Sequence, residues 1–68
     1  MTKDFKEMLK RDCLGLEDKP IIKKEIKTKN GYAIPVILDN GKEVYFLTDN
    51  NFMLNSLWYY EKENVILN

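Results

Sequence analysis

Histidine is absent from this chain, and cysteine occurs once, at Cys13. Without imidazole and with a single thiol, neither a Cys/His zinc set nor a nucleophile paired with a histidine base can be assembled. A lone cysteine also excludes an intrachain disulfide. Stability must then come from packing, turns or self-association. One free thiol and no disulfide framework fit a reducing compartment, so a cytoplasmic location is expected. The glycines, Gly15, Gly31 and Gly41, stand apart, and no glycine-rich loop is present to cradle a phosphate. No apolar run approaches the roughly 20 residues that cross a bilayer, and the charged stretch through Arg11 lacks the apolar centre of a secretory leader. No metal, cofactor or membrane partner is expected.

Net charge is lacking as well: 11 Lys/Arg balance 11 Asp/Glu. A general nucleic-acid binder carries a positive excess, so the total disfavours that class. The charges are nevertheless segregated. Residues 1–30 hold nine Lys/Arg against six Asp/Glu, and residues 31–68 hold two against five. Abundant Lys, Asn and Ile fit AT-rich coding, which suggests a low-GC bacterium or one of its phages.

What is present suits one small globular domain of 68 residues, with four Tyr, three Phe and one Trp to supply apolar area. A chain of this size buries only about 60% of its unfolded surface. Phe5, Met8, Leu9, Cys13 and Leu16 recur at helical spacing. Thr2 stands at the cap, and Gly15 at the position that closes a helix, so a helix over about 3–14 is expected. Leu16 would then fold back on the last turn.

Residues 21–29, 32–39 and 42–48 read as a three-stranded antiparallel meander. Asn30-Gly31 and Asn40-Gly41 serve as two-residue turns, because both residue types accept positive φ. That geometry pairs Lys29 with Tyr32 and Asp39 with Lys42. It places Ile26, Pro35 and Phe46 on one face, beside Lys24, Ile37 and Val44. The other face then carries Glu25, Val36 and Tyr45, beside Lys27, Ile34 and Leu47. Two strands are apolar on both faces, so the second face needs a cover or a second copy of the chain, and a homodimer is possible. Pro35 removes a ladder donor and marks a bulge nearby, or a nitrogen pointing away from a partner.

The last segment is expected as a helix over about 51–62, capped by Asn50 or Asn51. The alternative is a C-terminal β-hairpin, Leu57–Tyr60 with Val65–Leu67, that would give a small barrel-like sheet. The favoured α+β order, α-β-β-β-α, and the length are similar to double-stranded RNA-binding domains in topology. Those domains open the last helix with a lysine cluster. Here the corresponding residues are Asn50-Asn51-Phe52-Met53, so the main phosphate grip is missing and membership does not follow.

Two surfaces are candidates for function. Trp58, Tyr59 and Tyr60 are consecutive and cannot all face a core, so at least one is expected outside, with Glu61 on an acidic rim. Lys23, Lys27 and Lys29 alternate on one face of the first strand with Tyr32 close by. This strip either guards an edge against pairing or contacts phosphate. Cys13, on the apolar stripe, reads as core, and the pairs Glu17/Asp18 and Glu61/Glu63 as solvated surface, so no catalytic residue is assigned. The expected function is a small non-enzymatic regulator or inhibitor that binds a larger protein through the aromatic surface, as an accessory protein of a phage or mobile element. The alternative is a small nucleic-acid-binding module using the lysines.

Overall fold

Thr2 begins the ordered architecture. In a computed structural model describing residues 1–67, its Oγ1 accepts the Phe5 N–H at 3.1 Å. This satisfies one of the free donors at the start of helix α1, Lys3–Asp12. Asp4 in the first turn and Lys10 and Arg11 in the last complement the helix dipole. The helix ends at Asp12 rather than at 14. The N–H groups of Cys13 and Leu14 both donate to the Leu9 carbonyl, at 2.9 Å each. Gly15 does not adopt positive φ. Leu14, not Leu16, closes the helix onto the core, and Leu16 points into solvent.

The meander is formed, with three departures from the expected ribbon. Its first strand is split into β1, Ile21–Ile22, and β2, Ile26–Lys27, both antiparallel to β3, Tyr32–Ile37. Ile22 pairs with Val36 and Ile26 with Ala33, so three residues, Lys23 to Glu25, lie opposite two, Ile34 and Pro35. That surplus residue is a β-bulge. The bulge lies beside Pro35, whose carbonyl accepts the Lys23 N–H at 2.9 Å. On the other side Pro35 pairs with Tyr45, and both main-chain groups of Tyr45 bond to Tyr60 instead. The donor that proline lacks is therefore missing only on the bulged side. The bulge also sends Ile22 to the core face and Ile26 to the opposite one, although their spacing alone would put them together.

The turns differ as well. Lys27 pairs with Tyr32 and the Thr28 N–H donates to the Gly31 carbonyl at 2.8 Å, so the first turn holds Lys29 and Asn30, one residue before the expected Asn30-Gly31. Leu38 donates to Lys42, which leaves three, Asp39 to Gly41, in the second. Of those, only Gly41 has positive φ, +88°. This is the three-residue loop closed by a left-handed glycine. It shifts β4, Glu43–Thr48, by one residue from the expected register: Ile34 faces Phe46 and Val36 faces Val44. A one-residue shift exchanges the faces of a strand. Ile34, Val36, Leu38, Val44 and Phe46 thus share one face and pack with Leu9 and Leu14, with Phe5, Cys13, Ile22 and Leu54 at the margin.

The expected C-terminal helix is not formed; only a 3-10 turn, Lys62–Asn64, is present. The reason lies in Asp49 and in the open edge of β4. The Asp49 carboxylate accepts the N–H groups of Asn51 and Met53, and its own N–H donates to the Met53 carbonyl. These bonds close a second three-residue hairpin loop instead of capping a helix. The chain then runs back along β4. Leu54 bridges to Thr48, Asn55 donates to Leu47 at 2.8 Å, and Tyr60 exchanges both bonds with Tyr45 at 2.7 and 3.0 Å. Pairing with an unfilled strand edge outweighs the weak helix propensity of Asn, Ser, Trp and Tyr. Val65–Leu67 form no strand, so the hairpin alternative is not realised in full either. The arm wraps the β4 edge, and Asn64, Val65 and Ile66 stand with Leu47 and Thr48 around a cleft of about 420 Å³. Among the described residues the result is a small α+β fold with one α-helix and an antiparallel sheet of four strands, and no helix there is long and apolar enough to cross a membrane.

Candidate functional site

At the far end of the molecule from that cleft, two loops leave a groove between them. One wall is the exit of α1, with Arg11, Cys13, Leu14 and Leu16. The other is the arm at Leu57, Trp58 and Tyr59, and Leu38 contributes between them. The groove encloses about 560 Å³. Its apolar side chains are largely in water: Leu16 is 100% exposed, Trp58 78%, Leu57 62% and Tyr59 38%. Four large apolar groups around one concavity make a contiguous patch, unlike the scattered exposed residues that every surface has.

Each wall is braced by main-chain bonds. Glu17 Oε1 accepts the Asp39 N–H at 2.8 Å, and the Asp39 carboxylate accepts the N–H groups of Asp18 and Lys19. These reciprocal bonds tie the loop carrying Leu16 to the β3–β4 turn. Those two donors hold the Asp39 carboxyl below the usual carboxylate range. On the other wall, the Tyr60–Tyr45 bridge and the Asn55–Leu47 bond fix both ends of the segment that presents Leu57 to Tyr59, and Ser56 Oγ accepts the Trp58 N–H at 3.1 Å. Tyr59 also meets Phe46 edge to face, with ring centroids 6.4 Å apart.

Charge sits at the rim. Arg11 binds Asp12 in a two-pronged pair at 2.9 and 3.2 Å. Beyond Tyr59, Lys42 reaches Glu61 at 2.7 Å, which raises the lysine from its ordinary value. Partial burial pushes the Cys13 thiol up, and the charge of Asp12 adds to the effect. The protonated thiol is then an apolar lining group. Among the described residues no cluster of His, Cys, Asp or Glu could hold a metal ion.

Comparison with protein-family models, with curated proteins and with solved structures finds no match. Geometry alone therefore carries the reading of the site.

The groove takes in two of the four residues expected from the aromatic run. Trp58 and Tyr59 line it. Tyr60 is half-buried, engaged with β4 through its main chain, and Glu61 turns to Lys42. Leu16 and Leu57 were not singled out as binding residues from the sequence. Leu57 could have been suspected from its place beside Trp58. Leu16 could not, because its exposure follows from the early end of α1.

The lysines expected to form one strip are dispersed. Lys23 pairs with Glu43 at 3.1 Å, and Glu43, held below its ordinary value first by the Tyr45 hydroxyl, faces a different direction from the β2 side. Lys27 Nζ is engaged with the carbonyls of Thr28 and Gly31, with Asn50 Oδ1 at 2.7 Å, and with the face of Tyr32 at 5.0 Å. Tyr32 in turn is stacked on Phe52 at 4.1 Å. Only Lys29 is exposed without such a partner, on the border of the cleft. The bulge is the physical cause: it places Lys23 and Lys27 on opposite faces.

Proposed function

We propose that the chain is a small protein-binding regulator or inhibitor that docks on a larger protein through the groove formed by Leu16, Leu57, Trp58 and Tyr59. In this reading it acts by binding and performs no reaction. One observation carries the proposal: a tryptophan 78% exposed stands on the wall of a concavity with two exposed leucines beside it. Leaving so much apolar surface in water costs free energy that an occupant would recover at about 25 cal/mol per Å². Tryptophan and tyrosine are also the side chains that most often dominate interface energy. The nucleic-acid alternative finds less support, since Lys27 and Tyr32 are engaged within the fold and Lys23 points elsewhere.

The test is capture from host lysate by immobilised chain, with and without nuclease and across a salt series. Wild type is expected to retain a protein whose binding survives nuclease and changes little with salt. Trp58→Ala and Leu57→Ser should each release it, with a loss of about 2 kcal/mol or more, roughly 30-fold, typical of a central aromatic anchor. Both variants should fold as stably as wild type, within about 0.5 kcal/mol, because the altered side chains are exposed. Retention of nucleic acid that falls steeply with salt, equally in wild type and Trp58→Ala, would instead favour the lysines.

A further inference from the structure

Resting only on the reading of this groove as a docking surface, we infer that in the free chain it seats a second copy, as a two-fold dimer in which Trp58 of each copy enters the groove of the other. The patch has the shape that self-pairing requires. A projecting ring, Trp58, stands beside a concavity walled by Cys13 and Leu14 and containing Leu38. In an isologous interface the same patch supplies both knob and hole.

Area supports the same occupant. Weighted by their exposures, Leu16, Leu57, Trp58 and Tyr59 offer on the order of 550 Å² at about 200 Å² per fully exposed large side chain. A stable interface buries roughly 800 Å² per partner. The four side chains alone thus supply about two-thirds of that area.

For a chain of this size and without a disulfide, the pairing would also add burial that a single core cannot supply.

Trp58 is the only tryptophan, so the interface carries its own reporter. Sedimentation equilibrium of the full chain, run over a wide concentration series, should show the mass double from 8.1 kDa. Over the same range the Trp58 emission should move to shorter wavelength as the indole leaves water. Leu16→Asp and Leu57→Asp replace exposed side chains and should keep the wild-type circular dichroism, yet remain at the single-chain mass with unshifted emission. A wild-type chain that stays at the single-chain mass throughout overturns the dimer. The capture experiment above, with Leu57→Ser, then decides separately whether the groove docks another protein. Association that persists in both aspartate variants overturns it equally, since the contact would lie on another face.

Discussion

Phe52 has φ +61°, a conformation that bulky side chains rarely adopt. It occupies the position that Gly41 fills in the other three-residue loop. The two turns have the same bonds: Leu38 with Lys42 and Gly41 with Leu38 in one, Asp49 with Met53 and Phe52 with Asp49 in the other. What holds a phenylalanine in a glycine's place is the ring stack, Tyr32 at 4.1 Å on one side and Phe5 at 5.8 Å edge to face on the other. Phe52→Ala loses the stack and keeps the strain, whereas Phe52→Gly loses the stack and removes the strain. The glycine variant should therefore be the more stable of the two by about 1 kcal/mol in urea unfolding, the reverse of the usual order away from turns. An alanine variant at least as stable as the glycine variant would show that the backbone is not strained there. The two loop glycines separate in the same way. A Cβ on Gly31 would lie 1.9 Å from the Thr48 carbonyl oxygen, while one on Gly41 meets open space. Gly31→Ala should cost more than about 2 kcal/mol because main chain must move, and Gly41→Ala only about 1 kcal/mol for its φ. Comparable unfolding midpoints for the two variants would contradict this.

At the scale of elements, carboxylates acting as braces tie loops to strands. Asp39 holds the loop of Leu16 through two N–H donors, and Glu43 accepts from the Tyr45 hydroxyl at 2.6 Å and from Lys23. Both groups are held below their ordinary range, so folding favours their ionised forms. Stability from them is fully present above the unfolded carboxylate values, about pH 4, and declines as pH falls through the lower folded values. Asp39→Asn should be less stable than wild type at pH 7 and should lose less on going to pH 3, as read from urea midpoints. Equal losses in the two proteins would remove Asp39 as a brace. The sequence made α1 legible because Thr2 and a stripe through Phe5 and Leu9 are local signals. The meander was legible through its β-rich runs, and the bulge through Pro35. Register was not legible: an Asn-Gly pair serves a two-residue loop or the end of a longer one, and local preference does not choose between them. The helix expected over 51–62 gives way because the open edge of β4 offers bonding groups that belong to the assembled sheet and are not written in the arm's own residues. Trp58 was legible as an outward residue because three adjacent aromatics cannot share one face, whereas Leu16 depended on which leucine closed the helix.

For the molecule as a whole, core and groove draw on different apolar residues. Leu9, Ile34, Val36, Val44 and Phe46 are buried, and the remaining large apolar groups include the four that meet at the groove. Stability and binding should therefore separate under mutation. Leu9→Ala is expected to destabilise by about 2–5 kcal/mol, as truncation of a fully buried leucine does, while leaving capture intact in the folded fraction. A Leu9→Ala protein that unfolds at the wild-type midpoint would mean that the helix is not part of the cooperative core. The bulge between β1 and β2 has a consequence for assembly. A border strand of uniform pitch is a template on which further chains can stack without limit. Here the border offers two residues in step, then a kink, then two more on the reversed face. An incoming strand would lose alignment within a few ångströms of its first contact. A regular ladder along that border is thereby disfavoured.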